Sequence, residues 1–437
     1  MRTFKIITIL LYISLLNISS LQAYDFEFGN FYYDILSDEE KTVELVGYKE
    51  NSIPSDITIP QFVVSESTGE EYEVVAIGDE AFYKSKIESV IFPESIYSIG
   101  KSAFENAYNL KSINLPNSVI NVGEDAFANC KNAMSLSTGN SIQNIGSGAF
   151  IFSGLTGDLI FPETLESIGG SAFFGTNISE VSLPASLTNL EMEVFSFCSS
   201  LKAINVSPEN PLYSSKDGVL YNKDMTTVIL APPGLKEITI AEGTLEIAIF
   251  AFFSCKVESI YLPSSLKKIG FYAFSSSSLR SIEIPQNVSC IESNAFNDCW
   301  ALRSVVLPAS ITELGESSFI FVYSLQSFTT YSLIPPEADS AFTSKNMPEA
   351  KAPIEKCDLY VPEESIKAYS EVYPWKMFKN ILPIGSAGID NAISESEKLY
   401  TVYSSSGMLI LKDAEKENLS NLSPGLYIIN GKKTLIK

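Results

Sequence analysis

Apolar residues recur along this chain in blocks of fixed length, and one block shows the pattern. In Leu110 to Pro116 the apolar positions are Leu110, Ile113 and Leu115, which predicts a short strand with those side chains turned inward. Pro116 has no N–H to give a ladder and ends the strand. Val119 and Val122 return to the interior, and Gly123 predicts a tight turn with unusual dihedrals. Glu124 to Asn129 reads as one short helical turn that inserts Phe127, after which the pattern restarts.

The block repeats on a grid. Its Phe falls at Phe82, Phe104, Phe127, Phe150, Phe173 and Phe195, then at Phe252, Phe274, Phe296, Phe319 and Phe342, with steps of 22 or 23 apart from one of 57. Strand-ending prolines (Pro93, Pro116, Pro162, Pro184, Pro263, Pro285, Pro308) and Ile-Gly pairs such as Ile99-Gly100 and Ile168-Gly169 share the spacing. At Gly139 the proline is missing, yet Phe150 keeps the register. A period of this length predicts a repeat solenoid, β-rich α/β in class. It is expected to be a right-handed leucine-rich-repeat array of 22–23-residue units with capping strands and a small C-terminal β unit. Truncating an anchor such as Phe173 to Ala is expected to cost about 3–5 kcal/mol, because neighbouring coils cannot refill the gap.

The grid also divides the chain. Residues 77–342 are the array, and the 57-residue step marks an insertion at about 207–234. There Val219-Leu220-Tyr221 and Val228-Ile229-Leu230, with Asp217-Gly218 as a turn, predict a β-hairpin beside the solenoid. Residues 24–76 read as an N-terminal β cap, with strands at Phe31–Leu36, Thr42–Val46, Ile57–Pro60 and Tyr72–Ile77. Residues 343–384 read as a C-terminal cap, in which Leu359–Pro362 is the last strand. Ser365 to Tyr369 is helical there, and Trp375, Phe378 and Ile381 supply apolar closure. A polar linker (385–398) and a small β tail (399–437) follow. Residues 1–23 carry Arg2 and Lys5, an apolar stretch from Ile6 to Leu16, and Ala23 at a cleavage position, the marks of a secretory signal. The stretch is short for a membrane span, so an exported protein without a transmembrane segment is expected.

Charge narrows the partners. With 30 basic and 52 acidic residues the net charge is −22, a surface that repels phosphate backbones and argues against nucleic acid. The six cysteines do not follow a disulfide pattern. Cys130, Cys198, Cys255 and Cys299 lie three residues after an anchor Phe, in a column shared with Ser153 and Ser277 and into which Tyr323 is also read. Buried structural thiols fit this column, with Cys198–Cys255 the pair to check for a bridge.

No histidine is present, which removes Ser-His-Asp and Cys-His catalysis and His-ligated zinc. No P-loop, dinucleotide fingerprint or EF-hand spacing appears, so no cofactor or metal is expected. Carboxylate-based glycan hydrolysis survives only as a remote reading of Glu39-Glu40, Glu70-Glu71 and Glu363-Glu364, which sit in apparent turns and caps. Binding is the better expectation. The outward strand column, two residues before each proline, reads Ile91, Asn114, Ile160, Ser182, Tyr261, Glu283 and Val306, beside a floor of serines (Ser89, Ser112, Ser259, Ser281, Ser304) broken by Glu180. Ile160, Tyr261, Glu283 and Val306 are the candidate contacts, with Tyr213 and Tyr221 of the insertion as a second patch. The bland alternative is a solvated sheet in a passive spacer or surface-layer protein.

The Ile-Gly-x-x-Ala-Phe units, the Leu-x-x-Ile-x-Leu-Pro strands, Asp217-Gly218-Val219-Leu220-Tyr221 and the closing Tyr369, Trp375, Phe378 and Ile381 together resemble the BspA-like leucine-rich repeat family of bacterial surface proteins. The resemblance covers roughly 24–383 and implies a non-enzymatic adhesin or host-interaction role, with an extracellular protein or glycan as partner. The tail resembles a shortened sorting domain of type IX secretion in Bacteroidota, through Val402-Tyr403 to Gly407, Leu422 to Tyr427 and Gly431-Lys432-Lys433. That implies the outer surface of a Gram-negative cell. A monomer is expected.

Overall fold

The computed structural model describes residues 24–49, 53–344 and 351–385, together with strand backbones at 400–404, 409–414, 425–429 and 432–436. The expected signal segment and all of the expected linker except Gly385 lie outside the described residues. Contacts divide the chain into two compact units. One runs to Lys223 and includes Pro232–Gly234; the other comprises Asp224–Ala231 and everything from Leu235 onward. Both are β-solenoids built from the same coil, and each coil hydrogen-bonds to its neighbours along three walls.

The first wall carries the predicted strands. In the first unit Asp56–Thr58 pairs with Ser89–Ile91, Ile113–Asn114 with Leu136–Ser137, and Thr156–Ile160 with Asn177–Leu183 and then Ala203–Val206, all in parallel. In the second unit Glu237–Thr239 pairs with Ser259–Tyr261. A five-stranded parallel sheet follows, made of Ser281–Glu283, Ser304–Leu307, Ser327–Thr330, Asp358–Val361 and Asn380–Pro383. Leu359 therefore does not lie on the last strand: Asn380–Pro383 adds one more and draws Ile381 into the ladder.

The second wall is a finding. The Ile-Gly pairs, read as turns, form short strands: Ser98–Ile99, Asn121–Val122, Asn144–Ile145 and Ser167–Ile168 stack in parallel. In the first unit this sheet continues through Glu71–Ile77 and Thr42–Tyr48 to an antiparallel edge at Phe31–Ser37 and Phe26–Phe28. In the second unit Thr227–Leu230, Glu246–Ile247, Lys268–Ile269, Cys290–Ile291 and Glu313–Leu314 form its counterpart. Gly123 is therefore present for close approach rather than for unusual dihedrals. A Cβ there would sit 2.7 Å from the carbonyl carbon of Gly100, and one at Gly146 would sit 2.6 Å from the amide nitrogen of Glu124.

The third wall replaces the expected helical turn. Asp125 and Asn129 have φ of 53° and 58°, which no right-handed turn accommodates. The N–H groups of Asp125, Phe127 and Asn129 instead donate to the carbonyls of Ser147, Ala149 and Ile151 in the next coil, at 2.9, 2.7 and 2.8 Å. The backbone of this wall is thus a third ladder between coils. Left-handed residues recur two before and two after the anchor Phe, as at Ser102 and Asn106 or Asn294 and Asp298.

The anchors stack inside the coils. Phe82, Phe104, Phe127, Phe150, Phe173 and Phe195 stand with ring centroids 5.0, 5.0, 5.5, 5.1 and 5.7 Å apart. Phe252, Phe274, Phe296, Phe319 and Phe342 do the same at 4.7, 5.2, 5.1 and 5.9 Å. Tyr48 continues the first stack, and Trp375 and Phe378 pack edge-on against Phe342 in the second.

All six cysteines are free, Cys198 and Cys255 included. Beyond filling space, the column thiols donate hydrogen bonds. Sγ of Cys130, Cys198 and Cys299 reaches the carbonyl of Phe104, Phe173 and Phe274, at 3.2, 3.1 and 3.0 Å. Tyr323 does not belong to this column. Val322 fills it, and Tyr323 is exposed.

In the insertion Tyr213–Lys216 pairs antiparallel with Val219–Asn222, and Thr227–Leu230 pairs in parallel with Glu246–Ile247 as a coil strand of the second unit. The hairpin is joined to the solenoid of the first unit, since the Ile204 N–H donates to the Gly218 carbonyl at 2.9 Å. The buried Asn210 holds it: its Nδ2 donates to the Pro184 and Leu187 carbonyls, both at 2.9 Å, and its Oδ1 accepts from the N–H groups of Leu212 and Tyr213. The tail strands form an antiparallel sheet in the order 409–414, 400–404, 425–429, 432–436.

Candidate binding surfaces

Each strand of the first wall turns alternate side chains outward, so the pairing register decides which of them become neighbours. In the first unit Ile160 stands beside Ser182, and Ser182 beside Asn205. Ile160 is 76% exposed and Ile91 63%, which is unusual for a β-branched aliphatic with a complete core beneath it. In the second unit Glu283 lies beside Val306, and Val306 beside Thr329 and then Tyr360. Thr329 and Tyr360 are buried, so the accessible row ends at Val306.

Tyr261 sits on the neighbouring two-stranded ladder beside Thr239. Its hydroxyl donates to Glu242 Oε1 at 3.4 Å, and burial followed by the Glu242 charge raises its pKa. Tyr213 is half-buried, with its hydroxyl 3.5 Å from the Thr188 carbonyl and its pKa raised by burial. Tyr221 has no accessible surface. Alternation within Val219–Asn222 does not bring it outward, because all of Val219, Leu220 and Tyr221 are covered. It is a core residue of the insertion, not a contact.

Glu70 is taken up by Lys41 and by the Tyr72 hydroxyl, which hold its carboxyl below the usual range. Among the described residues no group of three metal-ligating side chains comes together.

What the sequence reading missed is the third wall. Read as helical turns, its outward positions have no defined direction; as a ladder, they stand in columns. In the first unit Phe152 and Phe197, both nearly half exposed, flank Phe174, with ring centroids 5.3 and 4.8 Å from it. In the second unit Tyr272 stacks on Phe250 at 5.3 Å, and Phe321 lies 6.0 Å from Tyr323. Phe253, Tyr272, Phe321 and Tyr323 line an open groove of about 530 Å³, with Ser275, Ser276, Asn297 and Asp298 as its polar lining. The sequence signal for it is the set of aromatics off the anchor grid, Phe250, Phe253, Phe271, Tyr272, Phe321 and Tyr323.

Known families and structures resemble this geometry. The model of the BspA type leucine-rich repeat region matches residues 75–202, 136–234 and 231–348. No curated protein matches the chain significantly. Among solved structures, the pneumococcal vaccine antigen PcpA is 23% identical with a TM-score of 0.66, the alignment covering 82% of this chain and 98% of that one. A leucine-rich cell surface protein of Faecalibacterium prausnitzii is 24% identical, covering 71% and 96%, with a TM-score of 0.51. A leucine-rich repeat protein of Bacteroides ovatus is 23% identical, covering 82% and 91%, with a TM-score of 0.52. At these identities the likeness speaks to the fold.

Proposed function

Because this chain belongs to the BspA-type leucine-rich repeat family, we propose that it is an exported, non-enzymatic binding protein that engages an extracellular protein through its first wall. The observation that carries this is the row of outward aliphatics, the exposed Ile91 and Ile160 in one unit and the half-buried Val306 beside the exposed Glu283 in the other, set among short polar side chains on parallel strands. Aliphatic side chains on a flat face gain by exclusion of water against a complementary protein surface, the usual core of an interface. Sugars, by contrast, seek aromatic faces.

The description of one similar structure as a cell surface protein supports an outer-surface location. The signal-like residues 1–23, the sorting-like tail and a Gram-negative, Bacteroidota-type host belong to the same reading. Among the described residues no helix is long and apolar enough to cross a membrane. Surface proteolysis of intact cells, comparing the full chain with a deletion of 399–437, tests the tail; equal exposure removes its sorting role.

The decisive experiment is a binding screen of the full chain against extracellular proteins, repeated with Ile160→Lys and Val306→Lys. Expected is a partner whose affinity falls at least tenfold with one of these substitutions, while the thermal midpoint holds. Binding indifferent to both, or no partner across the panel, favours the passive spacer instead.

A further inference from the structure

The groove on the third wall of the second unit gathers aromatic side chains that the fold does not require there. Its framework takes left-handed backbone two residues before and two after the anchor Phe in the coils up to Phe319. Many coils fill those positions with residues that tolerate this conformation, such as Ser102, Ser171, Asn106, Asn129 and Asn294, although rings also stand there at Phe152, Phe197 and Phe250. At the groove the same positions are Tyr272, with φ of 52°, and Phe321, with φ of 61°. A bulky ring is disfavoured there, and neither ring completes the core, which the stacked anchors already fill. Tyr323, 63% exposed, adds a third ring beside Phe321.

We propose that this groove binds a neutral oligosaccharide. The rings of Tyr272, Phe321 and Tyr323 present aromatic faces with partly exposed surface, on which the C–H face of a pyranose packs while its hydroxyls stay directed outward. The polar lining is held in fixed orientation: Ser276 Oγ donates to Asp298 Oδ2 at 3.1 Å, and Asn297 Nδ2 to Asn294 Oδ1 at 2.9 Å. That leaves the second Asp298 oxygen and the Asn297 carbonyl as acceptors for sugar hydroxyls, and the Asn297 amide as a donor. Alternating ring faces and short polar groups is what a ligand with one apolar face and a hydroxylated rim requires.

Charge selects within that class. The lining includes Asp298 and no Lys or Arg, in a protein of net charge −22, so sialylated or sulfated glycans, phosphates and acidic peptides are repelled. A protein partner is less well matched, because the floor between the rings is Ser, Asn and Asp rather than a dry pocket for an apolar anchor. This site is separate from the first-wall row and does not depend on it.

The test is an array of neutral and acidic oligosaccharides probed with the full chain, followed by titration calorimetry on the strongest neutral hit. Tyr272→Ser and Phe321→Asn install residues that other coils already carry at those positions, and Tyr323→Ser matches Ser278 in its column, so folding is preserved. Each is expected to weaken binding at least tenfold with a thermal midpoint no lower than that of the unmodified protein, whereas Phe152→Asn, in the first unit, leaves binding unchanged. In the unmodified protein the bound glycan should slow hydrogen exchange at residues 271–276, 296–299 and 321–323, a readout that needs no variant. No neutral hit, tighter binding of acidic glycans, a loss smaller than tenfold, or protection elsewhere would each overturn the proposal.

Discussion

Cysteine shows how much of a residue's behaviour its column decides. Burial pushes the thiols of Cys130 and Cys299 up to about 12 and that of Cys198 up to about 11. A thiolate is therefore scarce in the buried column, while Cys290 is only half-buried. Iodoacetamide at pH 8 should label Cys290 first and leave the four buried column thiols intact until the protein unfolds; peptide mass spectrometry reads this directly. Rapid labelling at Cys198 would contradict the buried placement. Glu44 is a different case, its pKa raised by burial and then by the charges of Asp34 and Asp79. A carboxyl that holds its proton more tightly when folded favours the fold at low pH, and this contribution is lost as pH rises through the raised value. Glu44→Gln should thus raise stability at pH 7 and leave it unchanged below the unfolded-state pKa of about 4.3, as measured by urea denaturation at both pH values.

The coil is the element of this fold, and its two strand walls and turn wall were legible to different degrees. The Leu-x-x-Ile-x-Leu-Pro pattern announced the first wall because alternation and a proline stop are local signals. The Ile-Gly pairs announced an inward side chain but not a strand, since a two-residue strand has no periodicity to detect. The Ala-Phe segment announced its anchor and misled about its backbone: i, i+3 spacing fits a helical turn, whereas the coil-to-coil hydrogen bonds, with left-handed residues on either side of the anchor, arise only on stacking. Two predictions follow from the coil. Phe173→Ala should lose about 3–5 kcal/mol in chemical denaturation, since both stacking partners lose a face. Phe152→Asn should gain about 0.5–1 kcal/mol, because Asn tolerates the left-handed backbone at Phe152 and the exposed ring contributes little packing.

At the scale of the whole molecule, charge and contact range set the behaviour. Nearly every long-range contact in a coil is to the next coil, so stability is a sum of neighbour terms, and a defect acts locally. The excess of acidic over basic groups opposes this through self-repulsion, which salt screens. Raising NaCl from about 10 to 150 mM shortens the screening length from roughly 30 to 8 Å and should raise the thermal midpoint by scanning fluorimetry. A flat or falling midpoint would place the dominant charge interactions in favourable pairs such as Lys268 with Glu246 and Glu292.

The sequence by itself determined the repeat, its period, the inward anchors and the absence of histidine chemistry, because each is carried by residue type at fixed spacing. It also pointed to Ile160, Glu283 and Val306 as outward residues, since strand alternation is local. Only the tertiary structure decided that Tyr221 is buried, that Tyr323 leaves the thiol column for the surface, and that Asn210 holds the insertion. It alone assembled Tyr272, Phe321 and Tyr323 around one groove. Those outcomes depend on the backbone path between coils, and hydrogen bonds between residues 22 or 23 apart set that path only once the coils are stacked.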